Sequence, residues 1–510
     1  MATRTGGFKG KGTLVPIPSE QGAPASSPVL QHGASAGEIS VTAEPGKVSN
    51  LLTVAPGVLT MTIEITQTTI PTVPGLPLIG NLLDFRFNRL DLLLRMSRKC
   101  SDIGVFHLGP RTVIMLNTPE LVHAVLVEHA SDFEKTPNFR IHGRPLLGNG
   151  LLTSENEFHK RQRRLVAPTF QHRRIASYAD IMVNYSEQIQ QGWADGETID
   201  IAREMMRLTL WIVGKTLFDA DVLGEAEELG KALKVAMQRF SSEIGGLVHI
   251  PYNWPTPGNW RIRKAVARLD ATVYQMIEER RRSKEERGDL LSMLLSARDE
   301  DDGGFMTDKQ VRDEAMTLFL AGHETTAVTL AWTWYLLTQH PEVYRRMRDE
   351  VDCVLGGRLP TFADLPQLPY TLQVLKESMR LYPPAYGFSR QAVRPVTIGN
   401  YHLAAGTLIA ISPYAMHRRA DYFPEPERFE PERFAPEAEQ RLQRHAYIPF
   451  GGGPRICIGN SFALMEGHLV LATLAQRVSF ELVPGQHIEM EPMVTLRPKN
   501  GIKMKVFRGF

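Results

Sequence analysis

The longest helical pattern in the chain runs from Thr307 to His340, and it sets the scale of the fold. Thr307 and Gln310 have the spacing of a capping box, and Pro341 marks the end because the residue before a proline avoids the helical region. At 1.5 Å per residue, roughly 32 residues span about 48 Å, enough to cross a whole domain. We therefore expect one large, mainly helical unit organised around this helix.

Local helix rules are broken near the middle of this pattern, in the sequence Ala321-Gly-His-Glu-Thr-Thr326. Gly322 costs about 1 kcal/mol relative to alanine in a helix. Thr325 can donate a hydrogen bond back to the Ala321 carbonyl and loosen the helix. Such violations in a regular element indicate a functional site. The alternative is a purely structural Thr-Thr pair, which is disfavoured because Glu324 adjoins it within a largely apolar run.

A glycine-rich loop, Phe450-Gly-Gly-Gly-Pro-Arg-Ile-Cys-Ile-Gly459, precedes an apolar helical pattern from Asn460 to about Val478. Cys457 lies just ahead of that helix, where unpaired N–H groups and the macrodipole favour a thiolate, which can be an axial metal ligand. Arg455 adds a positive charge beside it. Four glycines allow the backbone to take positive φ and allow a flat partner to approach closely, which a Cβ would obstruct: Gly451, Gly452, Gly453 and Gly459. The alternative is an inert small hydrophobe, as a lone cysteine more often is.

The composition limits the classes of function. With 510 residues, 43% of them apolar and 22% charged, and no internal repeat, the chain is predicted to form a single domain over residues 71–510. A net charge of +2 argues against nucleic-acid binding, so the function has to reside in a site. Cys100, Cys353 and Cys457 are too few for a disulfide framework and lack CxxC spacing, which favours a reducing compartment.

Residues 1–70 differ from the rest in being rich in Gly, Ser, Thr, Pro and Val. They are predicted to be a disordered extension. The best apolar run, Leu51 to Ile63, is interrupted by Pro56 and is shorter than the roughly 18 residues that a membrane span needs. No transmembrane anchor and no secretory signal are therefore expected, and a cytoplasmic location is predicted.

Several shorter patterns complete the prediction. Ile103–Leu108 and Thr112–Leu116 are predicted to be short strands of a small sheet around the turn Gly109-Pro110. Ile250 to Trp260 is a proline and aromatic loop between helical patterns. His159 and Arg163 are four apart on a predicted helix, so they can converge on one anion, although a solvated basic face is the alternative. Neighbouring basic residues extend the positive charge, either as a candidate docking surface for an acidic partner or as ordinary surface charge: Lys160, Arg161, Arg164, Arg173 and Arg174.

Two segments between the long helix and the cysteine loop also carry charges. Glu377 and Arg380 lie in a helical pattern that Pro383-Pro384 ends, and a pair at this spacing is by itself a weak signal. Arg433 follows in Pro431-Glu-Arg-Phe434. Arg390 opens a predicted turn into a strand.

Phe450, Gly453, Arg455, Cys457 and Gly459 match the FxxGxRxCxG haem-binding loop of the cytochrome P-450 superfamily, the haem-thiolate monooxygenases. The chain strongly resembles that superfamily, in the form of its soluble bacterial members, over roughly residues 74–506. The resemblance implies a mainly α fold with small β-sheets (α+β). In that fold the long central helix lies over a haem, and the Cys-ligand loop lies on the opposite side.

The resemblance also assigns roles to residues. Cys457 is the axial thiolate of haem b, Phe450 and Gly459 complete the haem loop, and the propionates are held by His159, Arg163, Arg390 and Arg455. Thr325 hydrogen-bonds dioxygen while Glu324 relays protons. Glu377, Arg380 and Arg433 form a buried structural triad. The 250–260 loop is a substrate-channel lid, and substrate contacts are expected from Thr317, Leu320, Ala321, Tyr386 and Phe388.

The implied reaction is insertion of one atom of O2 into a C–H or C=C bond of a lipophilic small molecule, of fatty acid, terpenoid, steroid or polyketide type. No fused reductase segment is expected, so electrons come from a ferredoxin, or a flavodoxin, with its NAD(P)H reductase. The enzyme is expected to be a monomer. Two alternatives stay open: a haem-thiolate peroxygenase or isomerase, against which Glu324 and Thr325 weigh, and a non-catalytic haem-binding protein.

Overall fold

The helix that crosses the middle of the structure runs from Asp308 to Gln339, and many of the other helices pack against it. Its N-cap is Thr307, whose hydroxyl accepts from the Gln310 N–H at 3.2 Å, while the Gln310 side chain accepts from the Thr307 N–H at 2.8 Å. The predicted capping box is confirmed. The helix ends one residue before His340-Pro341, as predicted, and its 32 residues span about 48 Å.

The computed structural model describes residues 70–219, 226–244, 251–283, 289–299 and 303–508. The chain divides into two units between Thr66 and Gln67, and the described residues all belong to the second. The extension predicted over 1–70 therefore lies outside the described residues except for Ile70. The division at residue 70 stays a prediction.

Helices and strands are numbered in chain order. The α-helices of the described residues are α1 (Leu82–Phe87), α2 (Arg89–Lys99), α3 (Pro119–His123), α4 (Pro137–Leu147), α5 (Asn156–Val166), α6 (His172–Ala176), α7 (Ala179–Gln191), α8 (Ile201–Phe218), α9 (Ala226–Ile244), α10 (Pro257–Ser283), α11 (Leu290–Ser296), α12 (Asp308–Gln339), α13 (Pro341–Leu355), α14 (Pro369–Leu381), α15 (Pro413–Met416), α16 (Pro436–Glu439) and α17 (Asn460–Ala475). The strands are β1 (Ile103–Leu108), β2 (Arg111–Leu116), β3 (Phe133–Glu134), β4 (Thr198–Asp200), β5 (Phe388–Ala392), β6 (Val396–Ile398), β7 (Tyr401–Leu403), β8 (Leu408–Ile411), β9 (Val478–Leu482), β10 (Met490–Pro492), β11 (Leu496–Pro498) and β12 (Lys503–Arg508).

The sheets are small, which confirms the predicted mainly α architecture. The largest has the order β1-β2-β8-β5-β3, in which β2 and β8 are parallel and the other pairs are antiparallel. The others are β4-β12-β9, β10-β11 and β6-β7. The two strands predicted from the sequence are confirmed as the β1-β2 hairpin, with β2 beginning one residue earlier, at Arg111.

Helices α8, α10, α14 and α17 pack on α12 and bury most of it. Trp332 of α12 stacks on Tyr382 with ring centroids 4.2 Å apart, and its indole N–H donates to the Leu496 carbonyl at 2.7 Å. Burying each large apolar side chain of this kind stabilises the fold by about 1.5–3 kcal/mol. The central helix is therefore a rigid platform for the groups on its accessible face. No helix in the described ranges has the length and apolar character to span a bilayer.

One helix boundary differs from the prediction. The apolar pattern from Asn460 was expected to continue as helix to about Val478, but α17 ends at Ala475 and Val478 begins β9. Val478 and Phe480 are buried, so apolar residues continue across the boundary. An unbroken apolar run cannot by itself separate a buried helix from a buried strand.

Glu377 and Arg380 of α14 form a fully buried ion pair, with Arg380 Nε 2.7 Å from Glu377 Oε2 and Nη2 2.8 Å from Oε1. Arg433 Nε lies 3.5 Å from Glu377 Oε1, so the structure brings the predicted triad together. Arg380 also donates to the carbonyls of His417 and Pro426. These bonds tie α14 to the segment that leads into the cysteine loop.

Candidate active site

The middle of α12 has one accessible face. From Val311 to Trp334 every residue is buried except Ala321, Gly322 and Thr325. These three positions lie at i, i+1 and i+4, so they share one side of the helix. Within this otherwise buried stretch of helix, the accessible turn is the place that a bound molecule can reach, and it is the turn that the sequence singled out.

Hydrogen bonds within this turn follow the expectation in part. The Thr325 hydroxyl donates to the Ala321 carbonyl at 2.7 Å, which confirms that predicted bond. Thr326 makes the same bond to Gly322 at 3.2 Å. α12 is nevertheless α-helical through all of its residues. Packing on both sides outweighs the local cost of the glycine and the threonines.

Two of the four glycines of the cysteine loop use the positive φ that glycine allows, and two do not. Gly451 and Gly453 have φ of 72° and 64°, whereas Gly452 is extended at −163° and Gly459 has φ of −93°. Only glycine fits at position 453 for steric reasons, because a Cβ there would lie 1.7 Å from the Leu126 carbonyl oxygen. Backbone contact with the segment after α3 therefore fixes the start of the loop.

Cys457 lies two residues before Gly459, the N-cap of α17, and its N–H donates to the Phe450 carbonyl at 3.0 Å. Its side chain is accessible, yet protein atoms surround it so closely that burial raises the pKa of the thiol above its ordinary value of 9.0. The Gly459 N–H and the charge of Arg163 lower the pKa in part. The helix N-terminus thus favours a thiolate, as expected, but its effect on the thiol pKa is smaller than that of burial. A metal ion can supply the missing stabilisation by coordinating the sulfur.

A cluster of basic side chains gathers beside the cysteine loop. Arg163 donates to the Ile456 carbonyl at 2.9 Å, and Arg455 donates to the Ser154 carbonyl at 2.8 Å and is paired with Glu155. His159, on the same side of α5 as Arg163, is buried. The full cluster contains the four predicted propionate partners and one residue that sequence reasoning missed: His159, Arg163, Arg390, Arg455 and Lys135.

Electrostatics within this cluster are unfavourable for the protein alone. Burial and the charges of Arg455, Lys135 and neighbours lower the pKa of His159 to about 3, so its imidazole is neutral. Burial and Arg455 lower the pKa of Arg390 to about 10. Burial also lowers the pKa of Lys135, and Glu155 offsets this only in part. Buried like charges of this kind need anionic partners. The two propionates of a haem fit that requirement.

One basic residue has a position that differs from the prediction. Arg390 lies within β5 rather than at a turn before a strand, and its guanidinium lies over the Phe388 ring, 5.3 Å from the ring centroid.

In the candidate docking surface, Arg161 and Arg164 are both paired with Asp299, at 2.7 and 3.1 Å. These two pairs reduce the free positive charge on that face of α5.

The five candidate substrate-contact residues differ in their burial and in their hydrogen bonds. Thr317 and Leu320 are buried in α12, and the Thr317 hydroxyl has no hydrogen-bond partner within the described part of the chain. Ala321 lies on the accessible turn, and Phe388 is half-buried in β5. Tyr386 has a structural position instead: its hydroxyl accepts from Arg89 at 2.6 Å and donates to the Met493 carbonyl at 2.9 Å. It therefore does not enter the proposal below.

The lid predicted over 250–260 is only partly a loop. Ile250 lies outside the described residues, and α10 begins at Pro257, so Trp260 is helical. Tyr252 lines a cavity of 170 Å³ between α4 and α9, with walls that include Leu146, Phe240 and Ile262. One edge of this cavity is polar, because Glu243 pairs with Arg239 and lies 3.5 Å from His142.

Glu324 is held by a residue that no sequence pattern indicated. The Thr495 hydroxyl, in the turn between β10 and β11, donates to Glu324 Oε1 at 2.6 Å, and both side chains are buried. Thr495 is 171 residues away along the chain, which is why spacing could not reveal it. This bond keeps the Glu324 carboxylate in a fixed position one residue from Thr325.

Glu466, on α17, was also missed. It is fully buried, and neither carboxylate oxygen accepts a hydrogen bond of normal length within the described residues. The Thr326 hydroxyl is near enough to lower its pKa slightly, but burial raises that pKa well above the ordinary 4.5. A buried carboxyl without a partner is protonated at neutral pH. A neutral acid thus lies between the cysteine helix and the central helix.

We expect Glu466→Gln to become more stable relative to the wild type as pH rises from about 5 to about 8. The folded protein keeps the Glu466 proton at pH values where the unfolded chain has released it. Wild-type stability therefore falls with rising pH by up to about 1.4 kcal/mol per unit, and glutamine lacks this loss. Thermal midpoints of both proteins across this range measure the difference. Glu481→Gln, at an exposed position, is the control, and a pH-independent difference would contradict the prediction.

Comparison with known proteins agrees with this geometry. The family model for Cytochrome P450 matches residues 70–506. Cyclooctatin synthase of Streptomyces melanosporofaciens is 38% identical over 83% of this chain and 92% of its own length. Pentalenene oxygenase of Streptomyces avermitilis is 33% identical over 85% and 96%. The crystal structure of the cytochrome P450DA heme domain superposes with a TM-score of 0.79 at 27% identity, covering 86% of this chain and 98% of that one.

The fold and site thus define a haem-thiolate monooxygenase. The chain belongs to the cytochrome P450 family, and the family implies a haem that is held by a cysteine thiolate. The predicted family, fold and enzyme class are confirmed.

Proposed function

We propose that this enzyme oxygenates a lipophilic substrate of terpenoid type, with Cys457 as the axial ligand of haem b. The observation that carries the proposal is the single accessible turn of α12 at Ala321, Gly322 and Thr325. It combines with an accessible cysteine and a basic cluster whose mutual repulsion favours anionic partners. When bound, a thiolate-ligated haem supplies the activation of dioxygen.

The protein's own groups place and protonate the reactants. His159, Arg163, Arg390, Arg455 and Lys135 would bind the propionates and so fix the orientation of the cofactor. Thr325 could turn its hydroxyl from the Ala321 carbonyl toward the dioxygen substrate, because a hydroxyl rotor turns freely. Glu324, one residue away, would resupply the proton, and Thr495 holds its carboxylate until then. Buried apolar neighbours of the turn, such as Leu320, exclude water.

We further propose that the cavity between α4 and α9 receives part of the substrate, and the polar groups at its edge then favour a terpenoid over a fatty acid. A fatty acid carboxylate needs an unpaired cation when it is buried. Arg239 at the cavity edge is paired with Glu243 and also donates to Asn259 at 3.3 Å. The cavity walls are otherwise largely apolar, as a hydrocarbon skeleton requires. The names of the two Streptomyces relatives, cyclooctatin synthase and pentalenene oxygenase, support the same class. Steroid and polyketide substrates are the alternatives for a binding screen.

Electrons would come from a separate ferredoxin, or a flavodoxin, with its NAD(P)H reductase, and the enzyme would act as a monomer. Of the basic residues suggested for docking, Lys160 is exposed and its partner Glu157 is exposed as well, so this pair is weak. Lys160 therefore stays in the proposed docking surface, whereas Arg161 and Arg164 are committed to the buried Asp299.

Thr325→Ala is expected to lower the product formed per NAD(P)H consumed by about tenfold, with a matching rise in hydrogen peroxide, because the proton donor beside dioxygen is lost. Product, NAD(P)H and peroxide are measured together in the reconstituted system. Thr333→Ala is the matched control, since its buried hydroxyl makes the same backbone bond at 2.8 Å two turns away. Unchanged coupling in Thr325→Ala, together with full activity on added peroxide, would instead support the peroxygenase alternative.

A further inference from the structure

Five large apolar side chains are exposed within a short segment at the start of the described chain. Leu78 is the most exposed, at 96%, and Phe87 follows at 73%. The complete set is Leu76, Leu78, Ile79, Leu83 and Phe87, which we call the apolar tip. Scattered exposed apolar residues are normal, but five of them within residues 76–87, on one turn and the helix that follows it, indicate an interaction surface. None of the site residues described above belongs to it.

The part of the tip that carries Leu78 is a tight turn with a fixed base. The Leu76 N–H donates to the Gly80 carbonyl at 2.9 Å, and the Gly80 N–H donates to the Leu76 carbonyl at 2.8 Å. Asn81, which is buried, donates to the Pro74 carbonyl at 2.9 Å and accepts from the His107 N–H at 3.1 Å. Gly80 has φ of 59°, and a Cβ there would lie 2.5 Å from the His107 carbonyl oxygen. The turn therefore projects Leu78 outward from β1 in a defined way.

Helix α1 contributes the rest of the tip. Leu83 and Phe87 are four residues apart, so they lie on one face of the helix. Phe85 lies on another face and packs against Phe106 of β1 with ring centroids 6.4 Å apart. The helix is thus anchored to the core by one side while it displays two large apolar side chains on another. The backbone is ordered before any partner binds, which lowers the entropic cost of binding.

The charge around the tip is positive. Arg86 is exposed beside the Phe87 ring, at 5.7 Å from its centroid. Arg111 is exposed where β2 begins, next to Gly109, whose N–H donates to the Ile79 carbonyl at 3.0 Å. Within the described ranges neither arginine is paired with an acidic side chain. The acid nearest in sequence, Asp84, is already paired with Arg95.

We propose that the apolar tip binds the surface of an anionic lipid bilayer, with Leu78 and Phe87 inserted among the acyl chains. Arg86 and Arg111 then contact lipid phosphates at the headgroup level, where guanidinium groups bind well. An exposed tip with basic neighbours can insert into a deformable headgroup layer, whereas a protein partner would need a groove of complementary shape. The contact is peripheral, since the inserted side chains come from one turn and one short helix.

The test is co-sedimentation of the full-length, haem-loaded protein with phosphatidylcholine vesicles that contain about 30% phosphatidylglycerol, compared with phosphatidylcholine alone. We expect binding to the anionic vesicles that weakens at high salt. The double variant Leu78→Gln/Phe87→Gln is expected to bind about tenfold more weakly, because two apolar side chains no longer insert. Arg86→Gln/Arg111→Gln should reduce binding and also its dependence on salt.

The control is Phe305→Gln, which removes an exposed aromatic side chain far from the tip in sequence and should bind like the wild type. Soret spectra and thermal midpoints verify that every variant is folded, which the exposure of the changed residues leads us to expect. Absence of wild-type binding to anionic vesicles, or equal binding by the Leu78→Gln/Phe87→Gln variant, overturns the proposal. So does a dimer that this variant abolishes while no vesicle binding is seen, because the tip would then join two copies of the chain.

Discussion

Cys457→Ser is expected to eliminate the strongly red-shifted Soret band of the dithionite-reduced, carbon monoxide-bound protein. Serine keeps the size of the side chain but lacks the thiolate that pushes electron density onto iron. Monooxygenase turnover should fall by about a thousandfold or more, which corresponds to about 4 kcal/mol of activation free energy. The spectrum is the primary measurement because it reports the ligand directly and needs neither substrate nor redox partner.

Cys353→Ser is the matched control, since Cys353 is an exposed cysteine on α13 and its replacement should leave the spectrum unchanged. A red-shifted band that persists in Cys457→Ser would show that another sulfur is the ligand, and the buried Cys100 would then be the candidate. A band at the position of a histidine-ligated haem in the wild type would remove the basis of the proposed function altogether.

Glu377→Gln is expected to be the most destabilising single change away from the haem. Both Glu377 and Arg380 are fully buried, so the change leaves Arg380 and the nearby Arg433 without a compensating charge. Breaking such a pair costs about 3–5 kcal/mol. The apparent thermal midpoint, followed by circular dichroism, should fall by about 5 °C or more, and haem content should fall with it. The cost reflects the stranded charges rather than the net value of the pair, because burial raises the pKa of Glu377 despite both arginines.

Glu278→Gln offers a matched control on α10. Its carboxylate lies 2.6 Å from Arg282, but both side chains are largely exposed. Exposed pairs contribute about 0–1 kcal/mol, so its thermal midpoint should change by about 1 °C or less. Equal midpoints for Glu377→Gln and the wild type would mean that the triad does not stabilise the segment behind the cysteine loop.

The sequence by itself identified the features whose signals are local. The capping box at Thr307 and the hydrogen bond from Thr325 to Ala321 depend on residues at most four positions apart, and both were predicted correctly. The β1-β2 hairpin follows from strand patterns around one turn. Spacing and residue type are sufficient in such cases because the interacting groups are neighbours along the chain. The haem loop was recognised for the same reason.

Only the tertiary structure decided which distant residues complete the site and how burial changes their chemistry. Lys135 joins the basic cluster, Thr495 holds Glu324 and Glu466 lies unpaired near Thr326, all through contacts between segments far apart in the chain. For Cys457, burial raises the thiol pKa more than the helix N-terminus and Arg163 lower it. Desolvation depends on every atom packed around a group, and that is a property of the folded chain rather than of any local sequence.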